Sequence, residues 1–115
     1  MSQILVIEDS PAIALLLRRR LEMAGHSVAV MPNGNHALGR LDAELLPDLI
    51  LADVMMPGLD GLETLEQIRS RHPGLPVVLV TGKQLEPAQR EKADAVFAKP
   101  IEFEPLLETI EKLCS

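Results

Sequence analysis

The chain has 115 residues, 47% of them hydrophobic and 24% charged, with a formal net charge of -6; this suits one domain around one core and leaves no basic footprint for nucleic acid. A single cysteine, Cys114, excludes an internal disulfide and a cysteine zinc site and fits a reducing cytoplasm, the expected location. The first apolar run, ILVI, is short and meets Glu8 and Asp9 at once, unlike a signal peptide, and no segment reaches transmembrane length. With no Trp, no Tyr and two Phe, the core must be aliphatic.

In chain order, Gln3–Ile7 reads as a strand. Ser10-Pro11, as N-cap and first-turn proline, opens a helix whose Ile13, Leu16, Leu17, Leu21 and Ala24 share one face, and Gly25 stops it. Ser27–Val30 is a second strand, followed by a helix over Gly34–Leu45 with Ala37, Leu38, Leu41 and Leu45 inward. A third strand, Asp48–Ala52, precedes a helix carrying Leu62, Leu65 and Ile68 that ends before Pro73. A fourth strand, Pro76–Val80, leads to a short helix at Pro87–Lys92. The fifth strand, Ala95–Ala98, is followed by a helix that starts at Glu104-Pro105 and carries Leu106, Leu107, Ile110 and Leu113.

Strand and helix alternate five times, which predicts an α/β fold: a doubly wound parallel sheet with helices on both faces, in three layers. The runs LVI, LILA and VVLV suit strands covered on both sides. No linker, repeat or low-complexity tract divides residues 1–115. In such a sheet, ligands sit beyond the carboxyl ends of the strands.

Those ends carry Glu8 and Asp9, Asp53, Thr81 and Lys99. Singly, Asp9 reads as a helix cap, Thr81 as a turn residue and Lys99 as a solvated lysine. Together, three carboxylates at one edge repel and raise one another's pKa unless a cation intervenes. Mg²⁺ is the expected ion, since it prefers oxygen ligands and keeps several waters.

Four segments carry a family resemblance. VIEDSPAI resembles the acidic pair of response regulator receiver domains, DVMMPGLDG their phosphoacceptor segment, VLVTG their hydroxyl position and AKPI their lysine-proline. The resemblance spans essentially the whole chain and implies one receiver domain over 1–115, the flavodoxin-like (βα)5 sandwich and strand order 2-1-3-4-5. It also implies a role for each residue. Asp53 is the nucleophile that takes a phosphoryl group from a histidine and holds it as an acyl phosphate. Glu8, Asp9, Asp53 and the Met55 carbonyl hold Mg²⁺; Thr81 and Lys99 contact phosphoryl oxygens, and Gly82 leaves room. Lys99-Pro100 resembles a junction that is commonly cis, Met56 and Pro57 shape the loop, and Asp60-Gly61 caps and opens the third helix.

The implied protein is a phosphoacceptor switch rather than an enzyme acting on other substrates, one that catalyses its own aspartyl phosphorylation and dephosphorylation. Its partners are a histidine kinase or histidine phosphotransfer protein and an effector the sequence does not name, with no membrane or direct nucleic-acid contact. It is expected as a monomer or weak homodimer, either stand-alone or cut from a longer protein. The first helix, with Arg18-Arg19-Arg20, is where the family often docks histidine-bearing partners. The alternative is a degenerate receiver that binds without phosphorylation. A haloacid-dehalogenase phosphatase normally needs an Asp where Met55 stands, and a flavodoxin a Ser/Thr/Gly-rich loop where EDSPAI stands. Two features depart from the family: Val96 replaces its usual Tyr or Phe, with Phe97 on the opposite strand face, and the Thr81–Lys99 segment is short. His26, His36 and His72 read as solvated, and Cys114 as inert.

Overall fold

The computed structural model describes residues 2–43, 46–54, 61–82 and 84–114. Strands β1 (Gln3–Ile7), β2 (Ser27–Met31), β3 (Leu49–Asp53), β4 (Val77–Thr81) and β5 (Ala95–Ala98) pair in parallel in the order β2-β1-β3-β4-β5. Parallel neighbours need crossovers, and helices α1 (Pro11–Met23), α2 (Gly34–Ala43), α3 (Gly61–Arg71), α4 (Pro87–Glu91) and α5 (Phe103–Cys114) supply them. The result is the flavodoxin-like (βα)5 sandwich. The expectations for Leu45, Met55, Met56, Pro57 and Asp60 fall outside the described residues.

Apolar residues continue along β3 and β4 without alternation because both faces are covered, and all five residues of each strand are buried. Successive side chains leave toward opposite layers. Leu5, Ile7, Ile50, Ala52, Val77 and Leu79 pack with Ala37, Leu38 and Leu41 of α2 and Leu65 and Ile68 of α3. Ile4, Val6, Leu49, Leu51, Val78 and Val80 pack with Leu17 and Leu21 of α1 and Leu106 and Ile110 of α5. α4 is different: it has no buried residue, and Leu85 just before it carries the local anchoring.

Caps set the helix ends. The Ile13 N–H donates to Ser10 Oγ over 3.4 Å, Pro11 follows in the first turn, and Gly25 leaves α1 at φ 95, where only glycine is unstrained. Two residues expected on the inward face of α1 are not there: Leu16 is 52% exposed, and Ala24 is exposed at the C-cap, one residue past the helix. α1 meets the sheet along the stripe Ala14, Leu17 and Leu21, and Leu16 lies to one side of that stripe. His26 also departs from the solvated reading. It is buried, and its Nδ1 accepts from the Ser2 N–H over 3.2 Å, because the turn after α1 folds it beneath the chain start.

Candidate functional site

Strand register brings the polar residues to one edge. Ile7 pairs with Ala52, so Glu8 emerges beside Asp53. Asp53 pairs with Val80 and Thr81 with Ala98, so Asp53, Thr81 and Lys99 follow one another across the ends of β3, β4 and β5. Asp53 and Thr81 are each the last residue of their strand, one position further into the sheet than the sequence reading placed them. Ladder pairing therefore holds their backbones.

The carboxylates of Glu8, Asp9 and Asp53 each place an oxygen within 4.8 Å of the others. Glu8 and Asp53 are buried and Asp9 is exposed. Lys99 Nζ donates to Asp53 Oδ2 over 2.6 Å, and the Ser10 N–H donates to Glu8 Oε1 over 3.3 Å. Thr81 is buried and shares a cavity wall with Gly82 and Lys99. Among the described residues, a Cβ on Gly82 would meet nothing within 4 Å, so there is open space beside it. The Lys99-Pro100 bond is cis, as the resemblance implied.

Burial pushes the Glu8 carboxyl from its ordinary 4.5 to about 7, assisted by its hydrogen bond to Asp53 and by that residue's charge, and opposed by Lys99 and the Ser10 N–H. For Lys99, burial pulls the pKa down, but the hydrogen bond and charge of Asp53, with Glu8 and Asp9 behind it, outweigh burial and leave it raised. Among the described residues, one ammonium thus serves three carboxylates. A site of oxygen donors carrying surplus negative charge fits a hard divalent cation.

Gly61 was legible in the sequence as the residue that opens α3, but not as a packing constraint. A Cβ there would lie 2.6 Å from Val54 Cα, 2.9 Å from the Asp53 carbonyl carbon and closer still to the Asp53 carbonyl oxygen. The Gly61 N–H donates to the Val54 carbonyl over 3.0 Å. α3 therefore starts in direct backbone contact with the end of β3, behind Asp53. Only the Asp60-Gly61 dipeptide hinted at this.

The model of the response regulator receiver domain family matches residues 4–111. The chain belongs to that family. It is 36% identical to the DNA-binding transcriptional regulator NtrC of Salmonella typhimurium over 114 residues, which cover 96% of this chain and 24% of that protein. It is 34% identical to Protein PilH of Pseudomonas aeruginosa over 116 residues, covering 96% of this chain and 95% of PilH. The chain thus spans about a quarter of NtrC and nearly all of PilH. Among solved structures, the response regulator TrrA of Thermotoga maritima, in complex with Mg²⁺-BeF, superposes with a TM-score of 0.90 at 31% identity, covering 98% of this chain and 99% of that one.

Within this receiver domain, both departures noted in the sequence take structural form. α4 has five residues. Val96 packs toward the α2–α3 layer and Phe97 toward the α1–α5 layer, so the phenylalanine ring does not replace the missing aromatic. The space beside Val96 is a cavity of about 360 Å³, whose walls include Thr81, Gln84, Arg90 and Lys99. Gln84 and Arg90 drew no attention in the sequence because neither lies in a recognised motif. Among the described residues no helix is long and apolar enough to cross a membrane.

Proposed function

We propose that the whole chain is one phosphoacceptor receiver of a two-component or phosphorelay system, with Asp53 as the residue that takes the phosphoryl group. The observation that carries this reading is the buried Asp53 carboxylate at a strand end, with Lys99 Nζ 2.6 Å away and Glu8 and Asp9 beside it. In the proposed step an Asp53 oxygen attacks the phosphorus of a phosphohistidine. The P–O bond forms as the P–N bond breaks, and the imidazole nitrogen leaves with the bonding pair and takes a proton. Lys99 and the Thr81 hydroxyl donate to phosphoryl oxygens as charge shifts onto them.

Mg²⁺ is the cation proposed for the acidic cluster, held by Glu8, Asp9 and Asp53, with the Met55 carbonyl as a further ligand by family resemblance. When bound, it supplies positive charge that offsets the phosphoryl oxygens. Reversal by water attack on the acyl phosphate would use the same residues, making the domain catalytic only toward its own aspartate. TrrA, which was solved with Mg²⁺-BeF, supports this assignment by analogy.

The proposed donor is a histidine kinase or phosphotransfer protein in the cytoplasm. An apolar pocket of about 260 Å³ lined by Ile13, Leu16, Pro100 and Phe103 lies beside Lys99, which suits a helix bearing the donor histidine. This gives the exposed Leu16 a use. A downstream effector would read the α4–β5 side, and the proposed state is a monomer or weak homodimer.

Incubation with Mg²⁺ and acetyl phosphate should add one acid-labile phosphate, seen as a mass increase. Equal labelling of Asp53→Asn would refute the assignment. A wild-type chain that takes no phosphate from acetyl phosphate or a phosphohistidine donor would instead point to the phosphorylation-independent binding module.

A further inference from the structure

Thr81, Lys99 and Arg90 all line the cavity beside Val96. Arg90 is exposed, and its guanidinium has no ion-pair or hydrogen-bond partner among the described residues. Arg18 pairs with Glu22, Arg20 lies 4.3 Å over the Phe103 ring and Arg69 pairs with Asp94; Arg19 on α1 shares the lack of a partner among the described residues but does not line this cavity. Arg90 belongs to α4, which buries no side chain, so the helix can shift without opening the core. Val96 leaves empty the volume that a side chain from α4 would have to cross.

A phosphoryl group on Asp53 would replace the single carboxylate charge with a phosphoryl dianion, adding about one negative charge at the edge of this cavity. Lys99 is already engaged with Asp53 and is shared with Glu8 and Asp9. With Lys99 and the proposed Mg²⁺ shared among three carboxylates and the phosphoryl group, the cavity side of that group still has room for a further cation. A guanidinium stays protonated, is more weakly hydrated than an ammonium and presents a planar fork to phosphoryl oxygens.

Resting on the phosphoacceptor reading above, we propose that Arg90 is a phosphoryl-binding residue, entering the cavity between Thr81 and Val96 to donate to an acyl-phosphate oxygen and drawing α4 toward β5. Arg90 then couples charge at Asp53 to α4, in space that a small Val96 leaves open.

Beryllofluoride with Mg²⁺, which forms a stable mimic of the acyl phosphate on aspartate, tests this by NMR on the ¹⁵N-labelled chain. The Arg90 Nε–Hε signal, identified by its loss in Arg90→Lys, should shift on adding the mimic. Arg90→Ala should bind beryllofluoride about tenfold more weakly, the size expected for one hydrogen bond to a charged group. It should also lose the response of the 84–91 amides while the Thr81 and Lys99 amides still respond; Arg90→Lys should fall between. Shifts at Thr81 and Lys99 with an unmoved Arg90 signal would overturn this proposal alone. No wild-type response at Thr81 and Lys99 would overturn the phosphoacceptor reading and this proposal with it.

Discussion

Lys99 Nζ lies 2.6 Å from Asp53 Oδ2 although β4 separates the strands that carry them. The Asp53 side chain is 4% exposed and that of Lys99 29%, so the carboxylate is the costlier partner to strand. Lys99→Met keeps most of the aliphatic stem and removes the charge. It should destabilise the metal-free fold by about 1–2 kcal/mol, less than for a fully buried pair because Lys99 is partly solvated. It should also strengthen Mg²⁺ binding, since the ammonium competes for the same carboxylates. Urea unfolding followed by circular dichroism, with and without Mg²⁺, checks both signs; no change in either would remove Lys99 as the counter-charge.

The raised pKa of Glu8 makes stability depend on pH. Between 4.5 and about 7, the folded chain holds a proton on Glu8 that the unfolded chain has released. Stability from this group is therefore fully present below pH 4.5 and is lost as pH rises through about 7. Mg²⁺ needs the deprotonated carboxylate, so the increase in melting temperature on adding Mg²⁺ should grow with pH over that window. Glu8→Gln should remove the pH slope and most of the Mg²⁺ response together. Melts at several pH values would count against the cluster if the Mg²⁺ effect were flat with pH.

Gly61→Ala asks whether α3 must touch β3. Alanine favours helices over glycine by about 1 kcal/mol, so propensity alone predicts stabilisation. The added Cβ would fall 2.6 Å from Val54 Cα, backbone that cannot rotate away. Overpacking of this kind costs about 1–3 kcal/mol, and net destabilisation is expected. The displaced end of β3 carries Asp53, so Mg²⁺-induced stabilisation should fall too. A variant as stable as wild type, with an unchanged Mg²⁺ response, would show that α3 can retreat at no cost.

Much of this was legible because strong local signals agreed with the global pattern. The continuous runs at Leu49–Ala52 and Val77–Val80 suit strands covered on both faces, and Ser10-Pro11 suits a helix start. That the candidate residues Glu8, Asp9, Asp53, Thr81 and Lys99 would be neighbours was legible because the fold places strand ends together. Leu16 misled because a helical stripe about 100° wide admits more apolar residues than the sheet covers. His26 misled because its burial follows from a tertiary contact with Ser2, which no local pattern encodes. The packing constraint at Gly61 and the place of Arg90 on the cavity were illegible for the same reason: a backbone approach and a cavity wall exist only once the chain has folded.

Arg69 should set how far a signal from Asp53 travels. Its Nη1 donates to the Leu75 carbonyl over 2.8 Å, its Nε to the Lys92 carbonyl over 3.0 Å and its Nη2 to Asp94 Oδ2 over 2.6 Å. Asp94 Oδ2 also accepts from the Val77 N–H over 2.8 Å, and Lys92 Nζ reaches Glu66 Oε1 over 2.6 Å. The segment after α4 is thereby fastened to α3 and β4, while α4 buries nothing. Val96 lies beyond the clamp and, being β-branched, has few χ1 states and no ring to swing. Amide-exchange changes on adding Mg²⁺ and beryllofluoride should therefore concentrate in residues 84–91 and fade across 92–94. Arg69→Ala should cost about 1 kcal/mol, since water can reach most of the acceptors it leaves, and let the changes spread past residue 94. If Val96→Ala instead abolishes the response at 84–91 while Asp53 still takes a phosphate, Val96 transmits the signal and the clamp does not bound it.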